Sequence, residues 1–296
     1  MRSVTICIAS IGRESLLQTL RSLQQNDLST VNLDIIIADD SGKDAVVQLI
    51  AGEKWSLSIQ VVTAGGRNVA LARNRCLEAA RGDYLAFIDD DELAAPDWLA
   101  NLVRLAEERG ADAVFGPVDA IFPANTPEWM RRAGPFIKRP GARGAAVTTG
   151  STCNALVRHD FVRKHGLHFR EQFGRSGGED TDFFARMSAL GALMLASDDA
   201  FLSEHVPAER LRLADLRRRY TRGGQTYAGI MLEGRAAAAR LRFYGSALVR
   251  LGVSALVVAG GMLLNRRDVA MRYGFKVWLN VGKLRHGCGL PLFDYY

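Results

Sequence analysis

Tyr84-Leu-Ala-Phe-Ile-Asp-Asp-Asp-Glu92 runs an apolar stretch straight into four acids. An unbroken apolar run without polar alternation is the pattern of a strand buried on both faces, and such strands belong to parallel sheets covered by helices. The acids then stand at the strand's carboxyl end, where open α/β sheets gather their ligands. Hard divalent cations prefer carboxylate oxygen. Mg²⁺ or Mn²⁺ takes one or two protein carboxylates and completes its shell with water and phosphate. The same acids would also suit a solvated turn or the cap of a helix beginning near Trp98.

Upstream, residues 4–9 form a β-rich run, and Leu16, Leu17, Leu20 and Leu23 fall at helical spacing. Residues 33–38 (LDIIIA) repeat the buried-strand pattern and stop at Asp39-Asp40-Ser41-Gly42, with a helix expected through Ile50. A third strand is predicted at 59–63 and a helix at 68–81. Downstream, the pattern predicts a helix at 98–109, strands at 113–118 and 155–157, and a helix at 179–190 opened by Gly177-Gly178. The Pro-, Gly- and Arg-rich segment 123–150 reads as a loop over the site. Strands alternating with helices define an α/β fold with a mostly parallel sheet.

Two further acidic clusters lie at element ends. Asp40 can accept hydrogen bonds from a ribose hydroxyl or a base N–H, or close an ordinary Asx turn. A dinucleotide-binding dehydrogenase would share that acid, but the first turn, Ala9-Ser-Ile-Gly-Arg13, has no G-x-G-x-x-G. Glu179 and Asp180 stand where a carboxylate can act as general base, or where it merely complements a helix dipole.

The 296 residues, 48% hydrophobic and 24% charged, suit one large globular domain with an appendage. Cys7, Cys76, Cys153 and Cys288 form no CxxC pair, which argues against a thiolate zinc site or a disulfide framework. The opening MRSVTICIAS is expected to be too short for a signal peptide. The net charge of +6 is unevenly spread: residues 207–296 hold sixteen Lys/Arg against five Asp/Glu, a surplus of +11. Within that basic tail, residues 251–264 carry no charge at all. Arginines on both sides of the apolar run disfavour a single crossing and favour a helix lying in or re-entering a membrane surface; packing in a small helical bundle is the alternative.

The ordered set LDIIIADDSGKD, ALARNRCLEAARGDYLAFIDDDE and GGEDTDFFARMSALG resembles the inverting glycosyltransferases of family 2, which have the GT-A fold. Within that family it is most similar to non-processive enzymes of bacterial exopolysaccharide assembly, including the succinoglycan β-glucosyltransferase type. The resemblance implies a GT-A catalytic domain over 1–225 and a helical, membrane-associating tail over 226–296. It implies a nucleotide-sugar donor, a UDP-sugar, a glycan or lipid-linked saccharide acceptor, and work at the cytoplasmic face of the inner membrane.

By position, the resemblance assigns Ala9, Ser10, Asp40, Arg73 and Asp90 to the nucleotide-sugar. It assigns Asp89 and Asp91, with His205 as a further ligand, to Mn²⁺ or Mg²⁺, and Asp180, beside Glu179, to catalysis as the base. The opening Ala-Ser-Ile-Gly-Arg departs from the family's usual Thr-Tyr-Asn-Arg type, and no QxxRW follows Asp180, which argues against a processive polymerase. A non-catalytic nucleotide-sugar-binding or nucleic-acid-binding protein is the alternative, though the latter would leave three acidic motifs idle and shows no RNP-like aromatic pattern.

Overall fold

The computed structural model describes residues 1–29 and 31–292. In chain order these form β1 (Arg2–Ser10), α1 (Ser15–Gln24), β2 (Val31–Asp39), α2 (Ala45–Ile50), β3 (Ser58–Thr63), α3 (Val69–Ala79), β4 (Tyr84–Ile88), β5 (Glu92–Ala94), α4 (Trp98–Arg109), β6 (Ala113–Phe115) and β7 (Val118–Ile121). There follow α5 (Glu128–Ala133), β8 (Asn154–Arg158), α6 (His159–Lys164), α7 (Glu179–Ala189), β9 (Met194–Ala196), β10 (Leu202–His205), α8 (Leu213–Leu232), α9 (Ala237–Leu263) and α10 (Arg267–Gly287).

The main sheet orders β3-β2-β1-β4-β8-β6-β9, and a smaller one orders β5-β10-β7. β1 runs parallel to both β2 and β4, whereas β8 runs antiparallel to β4 and β6. The unbroken apolar strands are buried on both faces, as their composition requires. On β1, Ile6 and Ile8 face one core with Leu16, Leu20 and Trp98, while Cys7 faces the other with Ala72, Phe169 and Phe183. The period-2 alternation of a strand sends neighbours to opposite faces.

Two compact units emerge. One comprises Met1–Asp119, Lys138–Arg175 and Glu179–Glu204; the other comprises Ala120–Ile137, Ser176–Gly178 and His205 onward. The expected division at 225/226 falls inside α8, a continuous 20-residue helix. The segment expected to be pure loop, 123–150, contains α5, whose Met130 and Ala133 enter the second unit's core with Leu216 and Phe275.

In this second unit, α8 and α10 touch backbone to backbone. A Cβ on Gly224 would lie 1.9 Å from the Leu279 carbonyl oxygen, and one on Gly282 would lie 1.9 Å from that of Thr221. Glycine permits that approach. α9 packs along α10 through Ala247, Ser254 and Gly261 but leaves most of its surface exposed: only 17% of its most apolar window is buried, and it is long and apolar enough to cross a membrane by length and composition.

Candidate active site

The buried β4 strand ends at Ile88, and the turn that begins at Asp89 is held by its own acids. The Asp89 N–H donates to Glu92 Oε2 at 2.9 Å, and the Glu92 N–H donates to the Asp89 carbonyl at 3.2 Å. Burial and the charge of Asp89 push the Glu92 carboxyl well above its ordinary range, and its buried Oε1 has no hydrogen-bond partner among the described residues.

Asp90 points inward and is 1% exposed. Ser10 Oγ donates to its Oδ2 at 2.6 Å, and Arg13 donates to both of its oxygens. Asp90 and Ser10, both expected to touch the donor, thus bind each other and tie the β1 loop to the β4 turn. The loop that departs from the family pattern therefore carries a function of its own. Gly12, at φ 81°, turns it so closely that a Cβ there would sit 2.6 Å from the Ala45 Cβ, and the turn delivers Arg13 to Asp90 and, at 3.3 Å, to Asp91.

Asp89 and Asp91 are partly exposed, their side chains at 41% and 20%. Burial, then the charges of Asp89 and Glu204, raise the Asp91 carboxyl to about 6 against the opposing pull of Arg13. Among the described residues, Arg73 holds Asp89 Oδ1 at 3.2 Å and Arg13 holds Asp91 Oδ2, which leaves one oxygen of each acid for another ligand. Two hard oxygens in a cluster where carboxylates outnumber cations fit a divalent ion that draws its other ligands from water and phosphate. His205 stands exposed at the end of β10, and among the described residues no group of three or more His, Cys, Asp or Glu side chains is arranged to hold an ion.

Arg73 joins the β4 turn to α7. It donates to Glu179 and to Asp89, and its guanidinium stands 5.8 Å over the Phe169 ring. Burial works against its charge, and Glu179, Asp89 and Asp180 together outweigh that and raise its pKa. α3 carries Arg73 here because Asn68 caps the helix, accepting from the N–H groups of Ala70 and Leu71 at 3.1 and 3.2 Å. Glu179 is buried, with Oε1 bound to Arg73 and Oε2 without a partner among the described residues. Asp180 is half-buried, with its Oδ1 accepting from the Thr181 N–H at 2.6 Å.

Asp40 is 5% exposed; its N–H donates to the Ser10 carbonyl, and its Oδ1 accepts from the Gly66 N–H at 3.1 Å. Neighbouring Asp39 instead accepts from the N–H groups of Ser41 and Val46, each at 2.9 Å, as a turn does. Ala9, half-buried, pairs with Ala38 at the same strand ends.

Sequence reasoning missed Lys138, Cys153 and Glu204. Lys138 feels the charges of Glu92 and Asp89 and, with Cys153, Thr148, Thr149 and Ser151, lines a cavity of about 520 Å³. No local periodicity marks these residues.

Residues 5–166 match the model of the family described as glycosyl transferase family 2, more than half of the chain. The chain belongs to glycosyl transferase family 2. This family 2 member is 37% identical over 233 residues to succinoglycan biosynthesis protein ExoM of Rhizobium meliloti, a match covering 78% of this chain and 75% of that protein. Among solved structures, the mannosyltransferase PcManGT from Pyrobaculum calidifontis, in complex with GDP-Man and Mn²⁺, aligns with a TM-score of 0.63 at 18% identity, covering 95% of this chain and 86% of that one. TarS 1-349 of S. aureus in complex with UDP-GlcNAc aligns with a TM-score of 0.55 at 16% identity, covering 98% and 93%. The fold is GT-A, and the family 2 chain is a glycosyltransferase that uses a nucleotide-sugar.

Proposed function

We propose that the chain moves a hexosyl unit, with inversion, from a UDP-sugar to a hydroxyl of a glycan or lipid-linked glycan during exopolysaccharide or cell-surface synthesis. The observation that carries this is the pair of strand-end carboxylates, Asp89 and Asp91, the first of which shares Arg73 with Glu179 at the start of α7. The likeness to succinoglycan biosynthesis protein ExoM and to the TarS complex with UDP-GlcNAc supports the polysaccharide and the uridine nucleotide.

In this reading Asp40 and the end of β1 hold the base, and Arg73 stands beside the diphosphate. Asp89 and Asp91 would hold Mn²⁺ or Mg²⁺, which supplies charge neutralisation to the departing nucleoside diphosphate. Glu179 is occupied by Arg73, so the proton of the attacking acceptor hydroxyl goes to the more open Asp180. The hydroxyl-lined cavity beside Lys138 offers room for acceptor sugar. Attack opposite the leaving group inverts the anomeric centre with no covalent intermediate.

The location in this reading rests on α9. Leu248, Val249, Val253, Leu256 and Leu263 are more than half exposed, and arginines stand at both ends of the helix. A water-facing surface of that kind is costly, whereas an anionic membrane surface on the cytoplasmic side satisfies both its apolar and its basic parts.

The test is nucleoside diphosphate release by detergent-purified protein given UDP-glucose, UDP-galactose, UDP-GlcNAc or GDP-mannose with Mn²⁺, with and without EDTA. Release from a UDP-sugar that EDTA abolishes is expected. Full turnover in EDTA, or no release from any donor, would overturn the reading.

A further inference from the structure

Glu92 opens β5 and is buried. Its Oε2 accepts from the Asp89 N–H at 2.9 Å, while its own N–H donates to the Asp89 carbonyl at 3.2 Å. A side chain reaching back three residues to a backbone N–H is what glutamate or glutamine contributes to the capping box of a helix. Here the chain enters a strand, so the contact serves the turn alone.

Glutamate is a costly residue for that strand. Its Oε1 is buried and has no hydrogen-bond partner among the described residues. Directly opposite on β10 stands a second buried acid, Glu204, and residues opposed across an antiparallel pair share one face. A β-branched residue would suit β5 with no such penalty. What the carboxyl provides in return is one well-placed acceptor, and that acceptor holds the peptide of Asp89.

We propose that Glu92 is a positioning residue for the divalent cation: by holding the Asp89 peptide it fixes where the Asp89 carboxylate stands and so sets the affinity for the ion. This rests on the reading of Asp89 as a metal ligand. Arg73 holds Oδ1 of that carboxylate at 3.2 Å, and Glu92 holds the main chain behind it. Asp89 is thus fixed at both ends, with Oδ2 left to the ion. Glu92 acts through the reach of its acceptor and not through its charge.

The experiment measures Mn²⁺ binding to the full chain in the presence of UDP, read as loss of the free-Mn²⁺ electron paramagnetic resonance signal. It compares the parent with Glu92→Gln, which keeps an acceptor at the same reach without the charge, and with Glu92→Asp, which keeps the charge but is one methylene shorter. Losing a residue that orients a metal ligand lowers metal affinity roughly 10–100-fold. Glu92→Asp should therefore lose about tenfold or more, whereas Glu92→Gln should stay near the parent. A role through charge or direct ligation gives the opposite order.

That opposite order, or two variants of equal affinity, overturns the proposal. Urea denaturation of the same proteins separates positioning from bare support of the fold: a less stable Glu92→Asp with unchanged Mn²⁺ affinity also overturns it. If Glu92→Asp does not fold, Glu92→Met, equal in length to Glu92→Gln and without the acceptor, must show the same loss. A parent that binds no Mn²⁺ with UDP present refutes the metal reading and this role together, whereas a binding parent with the wrong order of variants refutes the role of Glu92 alone.

Discussion

Arg13 donates to both carboxylate oxygens of Asp90, 77 residues away in sequence. This pair makes the middle acid of the Asp89-Asp90-Asp91 turn a structural anchor, whereas Asp89 and Asp91 each keep one carboxylate oxygen without a partner among the described residues.

Neighbouring acids should therefore respond in opposite ways to truncation. Asp90→Ala removes charge-assisted hydrogen bonds and should cost about 1.5–3 kcal/mol of stability. Asp91→Ala should abolish sugar transfer yet leave stability unchanged or slightly higher. With its carboxyl raised to about 6, the ionised form of Asp91 is disfavoured by the fold at neutral pH. Urea denaturation and an assay of nucleoside diphosphate release separate the two. The reverse ordering of stabilities would contradict these assignments.

Asp180→Asn should keep donor affinity while lowering kcat on the order of a hundredfold or more, as expected for a lost general base. Titration of donor binding alongside turnover decides the matter. A variant that lost binding but kept its saturated rate would show Asp180 to be a donor contact.

Arg73 and Glu179 form a pair whose side chains are 10% and 9% exposed. Removing one member strands the other, so Arg73→Met should destabilise by about 3–5 kcal/mol. Adding Glu179→Gln should restore much of that stability without restoring activity, because the Arg73 contact to Asp89 stays absent. A double variant no more stable than Arg73→Met would mean that the pair is not energetically coupled.

Iodoacetamide at pH 8 should label Cys288 alone among the four cysteines, since the other three are buried. Burial pushes the Cys153 thiol up to about 12. Because an unfolded cysteine ionises near 8.5, folding holds Cys153 neutral, and its contribution to stability is present below that value. The contribution is lost as pH rises from there towards 12. Mass spectrometry of labelled peptides checks the first expectation, and denaturation of Cys153→Ala against the parent between pH 8 and 10 checks the second. Ready labelling of Cys153 in the native protein would contradict its burial.

If α9 anchors the chain through apolar contact, high salt should strip little protein from membranes, because salt screens charge and leaves apolar burial intact. Detergent should release it. Fractionation of cells expressing the full chain tests this, and recovery in the soluble fraction at low salt would reject the anchor.

The strands at 84–88 and 33–38, the helix at 98–109 and the acids at strand ends were legible because each rests on local periodicity or on an abrupt change from apolar to charged residues. Burial on both faces leaves a mark on every residue of a strand. The ordered motifs likewise pointed to family 2 and to the GT-A fold.

What the sequence could not decide was which acid serves which purpose. Asp89, Asp90 and Asp91 are chemically identical, and only the approach of Arg13 and Ser10 turns one inward. Glu179 and Asp180 are adjacent acids, and Arg73, more than a hundred positions earlier, occupies one of them. Lys138, Glu204 and the small cores around α5 and α10 are likewise products of long-range packing. The physical reason is common to all of these. Periodicity reports which face of an element is buried, whereas a side chain's role depends on partners brought close by the closed fold, whose identity no neighbouring residue encodes.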